Sequence, residues 1–210
     1  MNKLDLKKEL QYLYKPSAKQ VELVEVPEFN FVMVDGVIEA GGGVGESEDF
    51  RNAMMAVYGA AYTLKFMSKK KKENPIDYTV MALEGLWWVE SGEFEFGKKE
   101  PWYFTAMIMQ PEHITKEMYL QAVEEMKAKR ENPAIDKMRF ERFHEGLSVQ
   151  IMHIGPYSEE PATIARMDAF AEENGYQMRG RHHEIYLGDP RLAKPENLKT
   201  VLRHPVEKAA

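Results

Sequence analysis

The sequence predicts an α+β fold: a tandem, pseudo-twofold pair of strand-helix-strand-strand units with antiparallel sheets and a central ligand cleft. Three observations predict it. Along the 210 residues, apolar periodicity passes twice from the alternation of a strand to the three-and-four spacing of a helix and back. Each long helix candidate has one apolar face, which requires a sheet to cover. After each helix come two extended stretches parted by turn residues, a recurrence of architecture rather than of sequence. The chain divides accordingly into an N-terminal helix and extended arm (1–26), a first unit with a trailing helix (27–132) and a second unit (133–210), together one domain. Helices are expected on one face of each sheet, leaving the opposite face to line a cleft at the junction.

Taken in order, Leu6, Leu10 and Leu13 give a short amphipathic helix, ended by Lys15-Pro16-Ser17 and followed by an extended stretch over 21–26. The run Phe31-Val32-Met33-Val34, closed by Asp35-Gly36, reads as a buried strand. Phe50, Ala53, Met54, Val57, Ala61, Leu64 and Met67 then mark one face of a helix over 48–67. The lysines at 69–72 suit its C-terminal dipole, and Asn74-Pro75 stops it. Strands over 78–89 and 102–110 flank a Gly-bearing turn region at 90–101. A second helix over 115–129 leads through Asn132-Pro133 into the next unit. There the order returns: a strand over 147–154, the turn Gly155-Pro156-Tyr157-Ser158, a helix over 159–173 with Ser158 as N-cap, an extended 180–188 and a last strand over 198–206.

Composition narrows the function classes. With 28 basic against 34 acidic residues the chain has no diffuse positive field, so nucleic acid is not an expected partner. The absence of cysteine excludes disulfides, thiolate metal sites and a cysteine nucleophile, and fits a reducing compartment. The N-terminal decapeptide alternates charge with leucine, unlike a signal peptide, and no stretch approaches the ~20 apolar residues of a membrane span. A cytoplasmic protein with no membrane partner is expected.

Several motifs carry possible chemistry, each beside a plainer alternative. The loop Gly41-Gly42-Gly43-Val44-Gly45 lacks the Lys-Ser/Thr ending of a phosphate cradle, and Glu46, Glu48 and Asp49 repel phosphate; a flexible loop before an acidic helix start is favoured. Strand alternation sets His182, Glu184 and Tyr186 on one face and His183, Ile185 and Leu187 on the other. Two ligands do not make a zinc site, and a third, such as His153, has to come from elsewhere; no metal and no organic cofactor is expected. If Ile185 and Leu187 pack under the helices, Glu184 and Tyr186 face the cleft. Trp87, Trp88, Trp102, Tyr103, Phe104, Met107 and Met109 at strand positions, with Tyr157 in the turn, are candidates for its wall. Rings and a desolvated carboxylate suit a flat, lipophilic or cationic ligand, and the same surroundings can raise a carboxyl pKa for acid-base work. The plainer alternative is a strand glutamate paired with Arg179 or Arg181 beside core aromatics. No nucleophile elbow for a serine triad is present.

The stretches Leu4 to Leu10 with Tyr14, Val26-Pro27-Glu28-Phe29-Asn30-Phe31, Ala61-Tyr62-Thr63-Leu64-Lys65-Phe66, Leu83-Glu84-Gly85-Leu86-Trp87-Trp88, Ile154-Gly155-Pro156-Tyr157 and His183-Glu184-Ile185-Tyr186-Leu187-Gly188-Asp189-Pro190 resemble the stand-alone GyrI-like proteins of the SOUL/GyrI superfamily. The resemblance covers nearly the whole chain. It implies a duplicated fold with a ligand cleft between its halves, as in multidrug-regulator effector domains, and its cleft glutamate falls on Glu184. Trp87, Trp88, Tyr103, Tyr157 and Tyr186 carry over as cleft wall. Similar proteins bind lipophilic cations, inhibit gyrase, or hydrolyse the cyclopropane ring of DNA-alkylating natural products; detoxification by such hydrolysis, with Glu184 catalytic, is the reading the resemblance implies first, and drug sequestration or a gyrase-inhibitor-like interaction are its alternatives. Residues 36–45 depart from the short turn of the family, and since no DNA-binding region is legible in these residues, a regulator role in one chain is not expected.

Overall fold

The computed structural model describes residues 3–91, 100–129, 131–190 and 192–209. Part of the turn region expected at 90–101, residues 92–99, lies outside them. Two long strands, β2 (Glu22–Ile38) and β6 (Arg139–Ile154), pair antiparallel along most of their length. The shorter strands β4 (Leu83–Trp88), β5 (Trp102–Gln110), β8 (His182–Tyr186) and β9 (Lys199–Lys208) complete the sheet in the order β6-β2-β5-β4-β8-β9, and β9 pairs back onto β6. The sheet therefore closes into a six-stranded antiparallel barrel. Exchanging β2 with β6, β4 with β8 and β5 with β9 maps this ring onto itself, which is the pseudo-twofold relation expected of two strand-helix-strand-strand repeats. The short strand β7 (Tyr176–Met178) adds to the far end of β9, and a two-residue parallel pair joins β1 (Lys3–Leu4) to β3 (Asp77–Tyr78).

The helices lie outside the barrel. Helix α3 (Glu48–Lys69), preceded by the short α1 (Leu6–Glu9) and α2 (Gln11–Tyr14), packs on β2 and β5. It buries Ala53, Ala56, Ala60 and Ala61, small residues that let its axis approach the sheet, together with Val57 and Leu64. Its start is fixed by Ser47, whose hydroxyl accepts from Phe50 N at 3.2 Å. Helix α4 (Lys116–Lys127) packs beside α3, followed by the single turn α5 (Ala134–Lys137). Helix α6 (Glu160–Glu173) covers β6 and β9 through Met167 and Ala171, which join Val149, Ile151, Leu202 and Val206 in a second apolar cluster.

Cross-strand register assigns every side chain to a face, since partners in an antiparallel ladder project the same way. Phe104, Trp87, His182, Glu184, Tyr186, Leu202 and Ile151 share the outer face with α3 and α6. His183, Ile185, Glu84, Val201 and Arg203 share the interior. This reverses the expectation that Ile185 packs under the helices with Glu184 on the uncovered face. Because the sheet closes on itself, its inner surface is the dry one, and Ile185 is fully buried there. Helices α3 and α6 sit over opposite pairs of strands, so the outer face of β4 and β8 forms the floor between them. Two local readings also change: the helix over 159–173 begins with a 3₁₀ turn, Tyr157–Glu159, and Glu159 occupies the N-cap of α6, so Ser158 is not the cap.

Candidate functional site

Glu184 stands on this floor, 6% exposed, with Gly85 of β4 and Leu202 of β9 as its registered neighbours. The missing side chain of Gly85 makes room: a Cβ there would lie 2.8 Å from Trp87 Nε1 and 3.1 Å from the Tyr186 hydroxyl. Through that gap Trp87 Nε1 donates to Tyr186 Oη at 3.0 Å, and Tyr186 donates to Glu184 Oε2 at 2.7 Å. His182 Nε2 lies 3.4 Å from Glu184 Oε1. The Trp87 ring packs against Phe50 of α3 at 5.4 Å, and the Tyr157 ring meets Tyr186 edge-on at 6.0 Å. Helix α3 and the 3₁₀ segment ahead of α6 thus flank the site. Gly155, with φ +142°, turns β6 into the 3₁₀ segment that carries Tyr157.

A second carboxyl group joins the first. Glu160, the opening residue of α6, is 1% exposed, and its Oε1 accepts no hydrogen bond from the described residues. Burial and then the negative charge of Glu184 push its pKa up to about 9, against a smaller opposing effect of Thr200. Tyr157 is raised to about 12, first by burial and then by Glu160 and Glu184. Tyr186 is raised by burial and by Glu184. Beyond His182 lies His204, with rings 5.8 Å apart, its pKa lowered to about 4 by burial and by His182.

The structure gathers Glu184, Trp87, Tyr157, His182 and Tyr186 and leaves Trp88 and Tyr103 elsewhere. Trp88 follows Trp87 in an extended strand and must project to the other face. There it stacks on Tyr103 at 5.8 Å and carries the guanidinium of Arg181 3.5 Å above its ring. The pairing of Glu184 with Arg179 or Arg181 does not form, since Arg179 donates to the carbonyls of Glu145 and Val206. His153, the possible third metal ligand, sets its ring nitrogens 2.9 Å from Thr163 Oγ1 and 3.2 Å from the Pro156 carbonyl. Among the described residues no three His, Asp or Glu side chains are grouped to hold a metal ion.

The sequence reading missed Glu160, Gly85 and Phe50. An acidic residue in a first helical turn is ordinary, so Glu160 carried no signal beyond its place three residues after Tyr157. It also missed an ionic cluster on the inner face. His183 lies 3.0 Å from both Glu84 and Glu145, Arg203 bonds Glu145 at 3.2 Å, and Tyr14 donates to Glu84 at 2.7 Å. Arg203 also donates to Gln150 and to the Leu13 carbonyl. Burial alone disfavours the imidazolium, yet Glu145 and Glu84 outweigh it and raise His183 to about 9. Burial likewise opposes the carboxylate of Glu145, which His183 and Arg203 nonetheless lower to about 2.

Two βαββ repeats close into one barrel, with acidic and aromatic side chains gathered on the outer face of its β4 and β8, and this is the architecture of a small-molecule-binding domain. The chain belongs to the GyrI-like family: it matches the GyrI-like small molecule binding domain over residues 19–207. Among solved structures, an uncharacterized conserved protein from Listeria innocua is similar at 38% identity and a TM-score of 0.87, covering 98% of this chain and 100% of that one. A hydrolase from the same organism, encoded by lin2189, is similar at 37% identity and a TM-score of 0.86 with the same coverage. The C-terminal domain of EcmrR, at 14% identity and a TM-score of 0.54 over 90% of this chain and 98% of that one, shares the fold. No match is found among curated proteins. No helix among the described residues is long and apolar enough to cross a membrane.

Proposed function

We propose that the chain is a cofactor-independent hydrolase of planar, lipophilic or cationic xenobiotics, acting on carbonyl-conjugated cyclopropanes of the kind found in DNA-alkylating natural products. The observation that carries this reading is the pair of buried carboxyl groups at the groove, with Glu160 held protonated up to about pH 9 beside Glu184. A carboxyl group kept protonated by burial next to a second carboxyl group can donate a proton while its neighbour accepts one. The name hydrolase borne by a relative 37% identical over nearly the whole chain supports chemistry of this class.

In this mechanism the faces of Trp87, Tyr157 and Tyr186 hold the flat substrate. Glu184, oriented by Tyr186 and His182, takes a proton from water as the water oxygen bonds to a cyclopropane carbon and the strained C–C bond breaks. The electron pair of that bond moves into the conjugated carbonyl, whose oxygen receives the proton of Glu160. Return of the proton from Glu184 to Glu160 through solvent resets the pair.

Mass spectrometry of a cyclopropane-containing alkylator incubated with the protein in ¹⁸O-water tests this. The expected product gains one water carrying the label. Glu184→Gln should lower the rate by about 10²- to 10⁴-fold while substrate still binds. Glu160→Gln should lower kcat and remove the alkaline fall in rate that wild type shows near pH 9. Unlabelled substrate after prolonged incubation, with tight binding of cationic dyes that Glu184→Gln weakens, would overturn the catalytic reading in favour of sequestration by a counter-ion.

A further inference from the structure

The outward face of α3 carries a second feature, remote from the groove. Met55, Tyr62 and Phe66 are 48%, 49% and 48% exposed, although each is large and apolar. Single exposed apolar residues are common, but these fall on one stripe with Tyr58, which stacks on Tyr62. The stripe runs through Glu48, Arg51, Met55, Tyr58, Tyr62, Phe66 and Lys69, at the three- and four-residue spacing of a helix-helix seam. Its ends differ in charge. Glu46, Glu48 and Asp49 open the helix and Lys69, Lys70, Lys71 and Lys72 close it, so the face is acidic at one end and basic at the other.

We propose that α3 docks on α3 of a second copy of this chain, antiparallel, about a twofold axis between Tyr58 and Gly59. Turned about that point, the stripe matches itself: Glu48 meets Lys69, Arg51 meets the Phe66 ring, and Met55 meets Tyr62. Acidic start then faces lysine-rich end at both extremities, and the helix dipoles oppose. Arg51 over Phe66 is a cation-π contact of the kind Lys70 already makes within the chain, at 5.9 Å. A parallel pairing would instead set like charges against like. A 22-residue helix offers a seam of about 33 Å, small for a permanent interface, so the dimer is one that forms at micromolar or higher protein concentration.

Sedimentation velocity over rising concentration, at low and high salt, reads this directly. The expected result is a monomer converting to a dimer, weaker at high salt. Tyr62→Glu should abolish it with an unchanged circular dichroism spectrum. Glu48→Lys should weaken association about tenfold, and adding Lys69→Glu in the same chain should restore it, because the two changes face each other across the axis. The chain has no cysteine, so geometry can be checked by oxidation. Chains carrying Met55→Cys should cross-link with chains carrying Tyr62→Cys in preference to their own kind. A monomer at every concentration, or a dimer indifferent to Tyr62→Glu, would overturn the proposal.

Discussion

Single side chains on β8 divide between two settings. His183, beside Glu184 in sequence, belongs to the interior ionic cluster, and that cluster makes stability depend on pH in a definable way. The folded pKa of His183, about 9, exceeds its ordinary 6.5, so its contribution is complete below about pH 6.5 and is lost as pH rises through 9. Glu145 is the opposite case: lowered from 4.5 to about 2, it contributes fully above about pH 4.5 and less as pH falls through 2. Glu160, raised from 4.5 to about 9, has the sign of His183, its contribution declining from pH 4.5 to 9. Thermal melts from pH 5 to 9 should therefore show falling stability in wild type and a shallower fall in Glu160→Gln. Equal slopes would contradict the placement of Glu160 as a buried acid. Tyr14→Phe leaves a buried Glu84 oxygen without its donor and should cost about 1–3 kcal/mol by denaturant titration.

Elements were legible where one face is apolar. Helices α3 and α6 announced themselves by period, because burial on one side imposes it, whereas β4, β5 and β9, buried on both faces, showed only as apolar runs between turn residues. The full length of β2 was not legible: the extended stretch over 21–26 and the run from Phe31 are one strand, whose ladder Pro27 only interrupts. The start of β6, Arg139 to His144, is charged and partly exposed and showed no strand pattern. The pairing of β1 with β3 is two residues long and left no trace. Two substitutions test what the elements contribute. Ser47→Ala removes the N-cap of α3 and should cost about 1 kcal/mol, read as a lower Tm. Gly85→Ala drives a methyl into the Trp87–Tyr186 bond and should cost about 1–3 kcal/mol, with a shift in tryptophan emission. Unaltered emission would mean that the indole does not cross Gly85.

On the scale of the whole molecule, the duplicated architecture was readable because each repeat announces its own helix and strands. Closure was not. The pairings β4 with β8 and β6 with β9 join residues far apart in sequence, and nothing local marks an inward face as interior rather than open cleft. For that reason alternation correctly separated Glu184 from Ile185 yet the helices were assigned to the wrong side; alternation also parts Trp88 from Trp87, but only the β4–β5 register puts Tyr103 with Trp88. The ring also makes the N-terminal arm part of the fold. Tyr14 and the Leu13 carbonyl close the ionic cluster, although residues 3–18 precede the family match. A chain lacking residues 1–15 loses the Tyr14 and Leu13 contacts of the cluster and should melt earlier than wild type, read by calorimetry.

Because one strand forms both the floor of the groove and the wall of the interior, inheritance at neighbouring codons of β8 should be governed by different pressures. In a library varying residues 182 to 186 one at a time, losses at 183 and 185 should appear chiefly as low abundance in cells, while losses at 182, 184 and 186 should lower small-molecule binding by more than they lower abundance. A phenotype of period two, read from binding and protein level together, is what a wall shared by two compartments writes into its own gene.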